Sequence, residues 1–295
     1  MPGICRLTLV ICLSGAAGAA ADLPEARDDG GLVWGHDYPA AYQRAAQQGR
    51  LLLIYFARQP ATAAGRHFQQ HSLTDPGVRR RLARYERVKL AVGEPVLLEE
   101  GPVDLLRHPS FVHMRGREGL AVVDLQHREA PYFGRAVSCL PFEPPVYYVT
   151  NYAAPRSIRT LLDLPPGSIT QRSMVYAVRM HPDRPASAVG AADPRLMDEC
   201  RGHSRHQARL RRQGHHRWEA RFRRIWAAVG GRHPVEVCAE SWPGQGLVAA
   251  SLDCVHSWRQ SAGHWQQVRS PQPAYGYDIQ RGSNGIWYAT GIFGG

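Results

Sequence analysis

Val237-Cys-Ala-Glu-Ser-Trp242 and Ser257-Trp-Arg-Gln-Ser-Ala-Gly-His264 organise the C-terminal half of the chain. Upstream of them, from Cys200 onward, runs a series of histidines: His203, His206, His215 and His216. Imidazoles at both ends, with the carboxylate of Glu240 between, are the groups that bind a divalent metal or move a proton. They are too far apart in sequence to form a local ligand motif. Any site they make is assembled by the fold.

Working outward, Asp193 is suited to cap a helix that has Pro194 at its first position. Good helix formers follow from Arg195 to Arg212, and Gly214 ends the run. Ser173–Met180 predicts an earlier helix, stopped by His181-Pro182. Trp218–Val229 and Leu247–Trp258 read as further helices, and Val235–Ser241 as a strand. Ser261 reads as a helix-end residue. Tyr275–Asp278 and Ile286–Phe293 alternate as paired strands about a Gly282-Ser-Asn-Gly285 turn. His203 and His206 stand three apart on one helix, near enough to ligate a metal together, although the plainer reading has one facing the core and the other water.

Asp193-Pro-Arg-Leu196, the helix, Gly214-His-His216, Ala239-Glu-Ser241, Trp258-x-x-Ser261-x-Gly263-His264 and Trp287–Phe293 occur in an order that resembles a CAP domain. This is the cysteine-rich secretory/antigen-5/pathogenesis-related family, here in its bacterial form. The resemblance covers residues 169–295. It implies an α-β-α sandwich with a shallow groove, and a cavity lined by His216 (or its neighbour His215), Glu240 and His264. It further implies that zinc is a candidate ligand, with His216 and His264 as its donors. Glu240 would then be a ligand, an orienting group or a general base. The chain departs from the pattern in two places. Ser241 replaces an asparagine, and the nearest acid to the family's second cavity glutamate is Asp253. Trp242 is placed to rim the groove.

The N-terminal half predicts an α/β layer with a partly parallel sheet. Trp34–Gly49 has helical spacing, with Tyr38, Ala41, Tyr42 and Ala45 on one face. Leu51–Phe56 is an unbroken apolar run, as in a strand buried on both faces. Helices are expected over Ala61–His71 and from Asp75-Pro-Gly-Val78 to Tyr85, with strands at Arg87–Val92 and Gly119–Asp124. This order resembles the thioredoxin-like fold. The redox motif of that fold would follow Phe56, where the chain reads Ala57-Arg-Gln-Pro-Ala-Thr-Ala-Ala-Gly65 without a cysteine. Glu118-Gly119 stands near the place of the family's cis-proline. Thiol–disulfide exchange needs an attacking thiolate, so the resemblance implies a retained fold without redox activity.

A chain of 295 residues is long enough for two modest domains. Residues 1–21 read as a secretory signal, with Arg6, an apolar centre at Leu7–Leu13 and Ala19-Ala-Ala21 at the cleavage site. That leaves a thioredoxin-like unit at 22–142, a Pro- and Tyr-rich linker at 143–168 and the CAP-like unit at 169–295. Asp22–Gly31 reads as a polar lead. No segment reads as a membrane span. Export to the periplasm or beyond would expose Cys139, Cys200, Cys238 and Cys254 to oxidising conditions. Two disulfides are then expected, with Cys238–Cys254 the preferred pair and buried free thiols the alternative.

Formal net charge is +11. Lys89 is the only lysine, so the basic surface is almost wholly arginine. No nucleic-acid-binding motif is visible. A solvated basic surface is the plain reading, and attraction to anionic envelope polymers or headgroups the sharper one. Three functions fit these features. One is an exported protein that binds an envelope or extracellular ligand. Another is a metal-assisted hydrolase using His216, Glu240 and His264. The third is a docking scaffold whose partner meets Arg209, Arg211 and Arg212.

Overall fold

The computed structural model describes residues 26–27, 32–99, 101–231 and 233–294. The expected signal at 1–21 and most of the polar lead lie outside them. A short ladder, β1 (Ala26–Arg27) with β2 (Val33–Trp34), precedes α1 (Tyr38–Gln48). The Asp37 carboxylate accepts the Ala40 N–H at the start of α1, and Gly49 closes it with φ 61°, a left-handed conformation that glycine adopts without cost.

The first main sheet contains β3 (Leu52–Ala57), β4 (Glu86–Ala91), β7 (Gly119–Val123) and β8 (Ala136–Pro141), in the order β4-β3-β7-β8. β4 runs parallel to β3, while β7 and β8 are antiparallel to their neighbours. Between β3 and β4 come α2 (Ala63–His67), a π-helical turn at Phe68–Ser72 and α3 (Pro76–Leu82), which Asp75 caps. Between β4 and β7 lie the hairpin of β5 (Val96–Leu98) with β6 (Gly101–Val103), and a 3-10 turn at Pro109–Met114. Alternate residues of β3 serve two cores. Leu52, Ile54 and Phe56 pack with Tyr38 and Tyr42 on the α1 side, and Leu53 and Tyr55 pack with Phe68 and Leu82 on the other. The period of two in a strand dictates this division.

Residues 143–168 contain α4 (Pro155–Leu162), which lies against α3. α5 (Ile169–Met180) follows, its first turn closed by a capping box of Ser168 and Gln171. α5 is buried along most of its length and touches β8, α4 and the second main sheet. That sheet contains β9 (Ala191–Ala192), β10 (Pro234–Glu240), β11 (Ala274–Arg281) and β12 (Trp287–Gly294), in the order β10-β12-β11-β9. One face carries α6 (Pro194–Leu210) and α7 (Trp218–Ala228). The other carries α5, α8 (Leu247–Gln260) and α9 (Ala262–Arg269).

Most expected elements are present within a few residues of their expected ends. β8, the β5–β6 hairpin and α9 were not expected. Ser138 and Pro141 obscure β8, whose residues are all buried even so. Ser261 does end α8, but it also starts α9.

The expected disulfides are not formed: Cys139, Cys200, Cys238 and Cys254 are all buried free thiols. Cys238–Cys254 fails for a reason of layers. Val237 and Ala239 share the core with Cys254 on the α8 side, so the intervening Cys238 points to the opposite face. Cys139 belongs to the first sheet, and Cys200 lies on the buried side of α6, packed with Ile225 and Ile292.

Candidate functional site

β10 is an edge strand, and its edge is where the two helical layers can meet. His215, in the loop after α6, approaches from one side. His264, in the first turn of α9, approaches from the other. Their Nε2 atoms lie 3.5 Å apart. His215 Nδ1 lies 3.0 Å from Glu236 Oε1. Donation of the Nδ1 proton to that carboxylate leaves the Nε2 lone pair facing His264, the arrangement by which a carboxylate orients a metal-ligating imidazole. Two nitrogens that bind one zinc ion at about 2.0–2.1 Å stand about 3.3 Å apart in tetrahedral geometry. The observed 3.5 Å is compatible with two nitrogens on one ion and equally with an N–H···N hydrogen bond between the rings.

Glu236 was not among the residues singled out from the sequence. It is buried, and Arg221 forks it, Nη1 donating to Oε2 at 2.5 Å and Nη2 to Oε1 at 2.8 Å. Burial alone would raise this carboxyl. Hydrogen bonds from His215 and Arg221 outweigh burial and hold it below the usual carboxylate range. The missed signal was strand parity, since Glu236, Cys238 and Glu240 alternate along one face of β10.

Behind this pair, His203, Glu236 and Cys238 bring donor atoms within 4.8 Å of one another. Two contacts count against an ion seat there. Arg221 occupies both Glu236 oxygens. His203 Nε2 lies 2.9 Å from the Gly214 carbonyl, and burial pushes His203 down to about 4, so its neutral ring donates there. This inner group supports the outer histidine pair.

The remaining candidates fall elsewhere. His216 does not face His264. Its Nε2 lies 3.1 Å from the Arg212 carbonyl, and its ring packs beside His203 and His206. Of the two neighbours left open in the sequence, His215 is the one brought to His264. His203 is buried and His206 half-buried, as their spacing implied. Glu240 is exposed at the end of β10 and has no hydrogen bond to either histidine of the pair. Asp253 is buried, accepting from the Tyr147 hydroxyl at 2.6 Å and the Trp242 N–H at 2.8 Å, so it holds the loop after β10 in place. Ser241 exchanges hydrogen bonds with Trp287. The Trp242 ring is 70% exposed.

In the N-terminal half, the turn after β3 is filled by Glu118. This buried carboxylate accepts from Tyr55 Oη at 2.9 Å, Thr62 Oγ1 at 2.6 Å and Thr62 N at 3.2 Å. Gly65 makes room for it, since a Cβ there would stand 2.1 Å from Glu118 Oε1. Cys139, the one cysteine among the described residues of this half, lies in β8, where burial pushes it up to about 12.

No family model, curated protein or solved structure matches the chain. Among the described residues no helix is long and apolar enough to cross a membrane.

Proposed function

We propose that this is an exported protein whose C-terminal half, of CAP-like architecture, binds an envelope or extracellular ligand at a His215–His264 metal seat. The N-terminal half is then a thioredoxin-like scaffold without redox chemistry. The 3.5 Å approach of two imidazole nitrogens from different layers carries the first reading. The sandwich of helices on both faces of the β10-β12-β11-β9 sheet supports the CAP-like assignment. The β4-β3-β7-β8 order, with one parallel and two antiparallel pairings, supports the thioredoxin-like one. Glu118 at the absent cysteine motif supports the loss of redox function.

A zinc ion held by His215 and His264 would supply a Lewis-acidic centre with open positions for an anionic or carbonyl ligand. Glu236 fixes the His215 ring, and Arg221 neutralises Glu236. Binding is favoured over hydrolysis because Glu240, the candidate base, stands apart from the histidine pair. The test is metal content of the purified chain, wild type beside His215→Ala/His264→Ala. Zinc near one per chain in the wild type, absent from a still-folded variant, is expected. Equal metal in both proteins would remove the proposed seat.

A further inference from the structure

A second site lies between α3, α4 and α5, far from the histidine pair in the sequence. A cavity of about 450 Å³ opens there, lined by Arg80, Arg81, Arg156, Arg159 and Arg179, with Asp163 as the one acidic residue of its wall. Five arginines in the wall meet two carboxylates, Asp163 and the Asp75 that Arg159 reaches, which leaves positive charge in excess. Like charges gathered at a surface repel one another by an amount that solvent only partly screens.

The fold holds several of these arginines in place by their backbone partners. Arg156 Nη2 donates to the carbonyls of Met180 at 3.1 Å and His181 at 3.2 Å, at the end of α5. Arg179 Nη1 donates to the Asp163 carbonyl at 2.8 Å and its Nη2 to that of Ala188 at 3.1 Å. Arg81 binds the Asp163 carboxylate and, through Nη1, the Gly77 carbonyl at 2.9 Å. Arg84, from outside the cavity, takes the second Asp163 oxygen at 2.7 Å, so that carboxylate is already shared. Arg159 reaches Asp75 only at 3.6 Å. Arg80 is exposed and has no hydrogen bond or ion pair among the described residues.

A cluster of arginines, three of them held by backbone carbonyls and two little used by the fold, is the chemistry that receives a phosphate group, through paired charge-assisted hydrogen bonds. We propose that this cavity binds a phosphate group, carried either by a soluble molecule or by a phospholipid headgroup. The site is independent of the His215–His264 reading. The exported location would suit a headgroup, whereas the cavity alone asks only for the phosphate.

Arg80→Ala/Arg159→Ala removes the two guanidiniums least used by the fold, and Arg80→Lys/Arg159→Lys keeps the charge but not the fork. Far-ultraviolet circular dichroism checks that each variant is folded. Calorimetric titration with inorganic phosphate, at constant ionic strength set by chloride, reads the site directly. Saturable binding by the wild type is expected, weakened about tenfold or more in the alanine variant and by less in the lysine variant. Co-sedimentation with phosphatidylglycerol-containing vesicles separates the sources. Sedimentation lost in the alanine variant assigns a headgroup. Phosphate binding without sedimentation assigns a soluble phosphorylated ligand. Absence of saturable phosphate binding by the wild type, or equal binding by the alanine variant, would overturn the site.

Discussion

Asp278 is fully buried in β11, where Thr170 Oγ1 donates to it at 2.6 Å and Gln280 Nε2 at 2.8 Å. Burial pushes its carboxyl up to about 7, even though both hydrogen bonds pull the other way. The unfolded chain releases this proton near pH ~4. The folded value is the higher one, so the contribution to stability is fully present below about pH 4 and is lost as pH rises through about 7. A difference of this size is worth about 4 kcal/mol at the alkaline end. Asp278→Asn is neutral at every pH. Its Tm should match the wild type near pH 4 and exceed it at pH 8, on the order of 5 °C. Thermal unfolding of both proteins at several pH values checks this, and a constant offset would show that the fold does not raise the Asp278 carboxyl. Glu118 is buried too, and the Thr62 N–H and hydroxyl at the start of α2 hold it in place. It occupies the place where a redox motif would need open space.

α6 presents Cys200, His203, Ser204 and Gln207 to the second sheet and so fixes the loop that holds His215. Gln207 ties that loop down, accepting the Gly214 N–H at 3.0 Å while its Nε2 donates to Thr290 at 3.0 Å. The helix begins where Asp193 Oδ1 accepts from Arg195 N at 2.8 Å and Leu196 N at 3.1 Å. Asp193→Ala leaves those donors uncapped and should cost about 1 kcal/mol. The expected result is a lower urea midpoint with an unchanged slope. A changed slope would mean that the cap shapes more than one helix end. β10 contributes differently. As an edge strand it lets α9 and the loop after α6 reach one another, which a central strand would prevent.

The two halves are joined through one apolar core, which runs from Leu53, Tyr55 and Phe68 through Ile158 and Tyr176 to Trp258 and Tyr277. Polar contacts cross the same seam. Arg172, buried in α5, donates from Nε to Ser138 Oγ in β8 at 2.8 Å and from Nη1 to the Leu164 carbonyl at 3.1 Å. Tyr85 donates to the Leu162 carbonyl at 2.8 Å, and Ser72 to that of Ala153 at 2.5 Å. A shared core makes unfolding of one half expose the apolar surface of the other. Urea transitions followed by tryptophan fluorescence and by circular dichroism should therefore coincide. Two separated midpoints would show that the seam does not couple the halves.

The unbroken apolar run at Leu51–Phe56, the Asp193-Pro194 cap and the paired strands after Tyr275 were legible in the sequence because strand hydrophobicity and capping are local. The absence of a cysteine after Phe56 was equally plain, and it alone rules out thiol exchange at that turn. His264 was legible as a candidate through its surrounding motif. The choice of His215 over His216 was not, because adjacent residues in a loop share composition and spacing. Glu236 escaped notice because its value lies in Arg221 and His215, which only the packing of α7 and the loop against β10 brings to it. The four thiols read as disulfides because sequence gives their number, and suggests an oxidising compartment, but not the face of the sheet each occupies. Likewise, the arginines near α3, α4 and α5 are a general basic character in the sequence and a cavity only in the fold. Local propensity thus set the elements, and the juxtaposition of distant side chains set the sites, since contact is a property of tertiary packing.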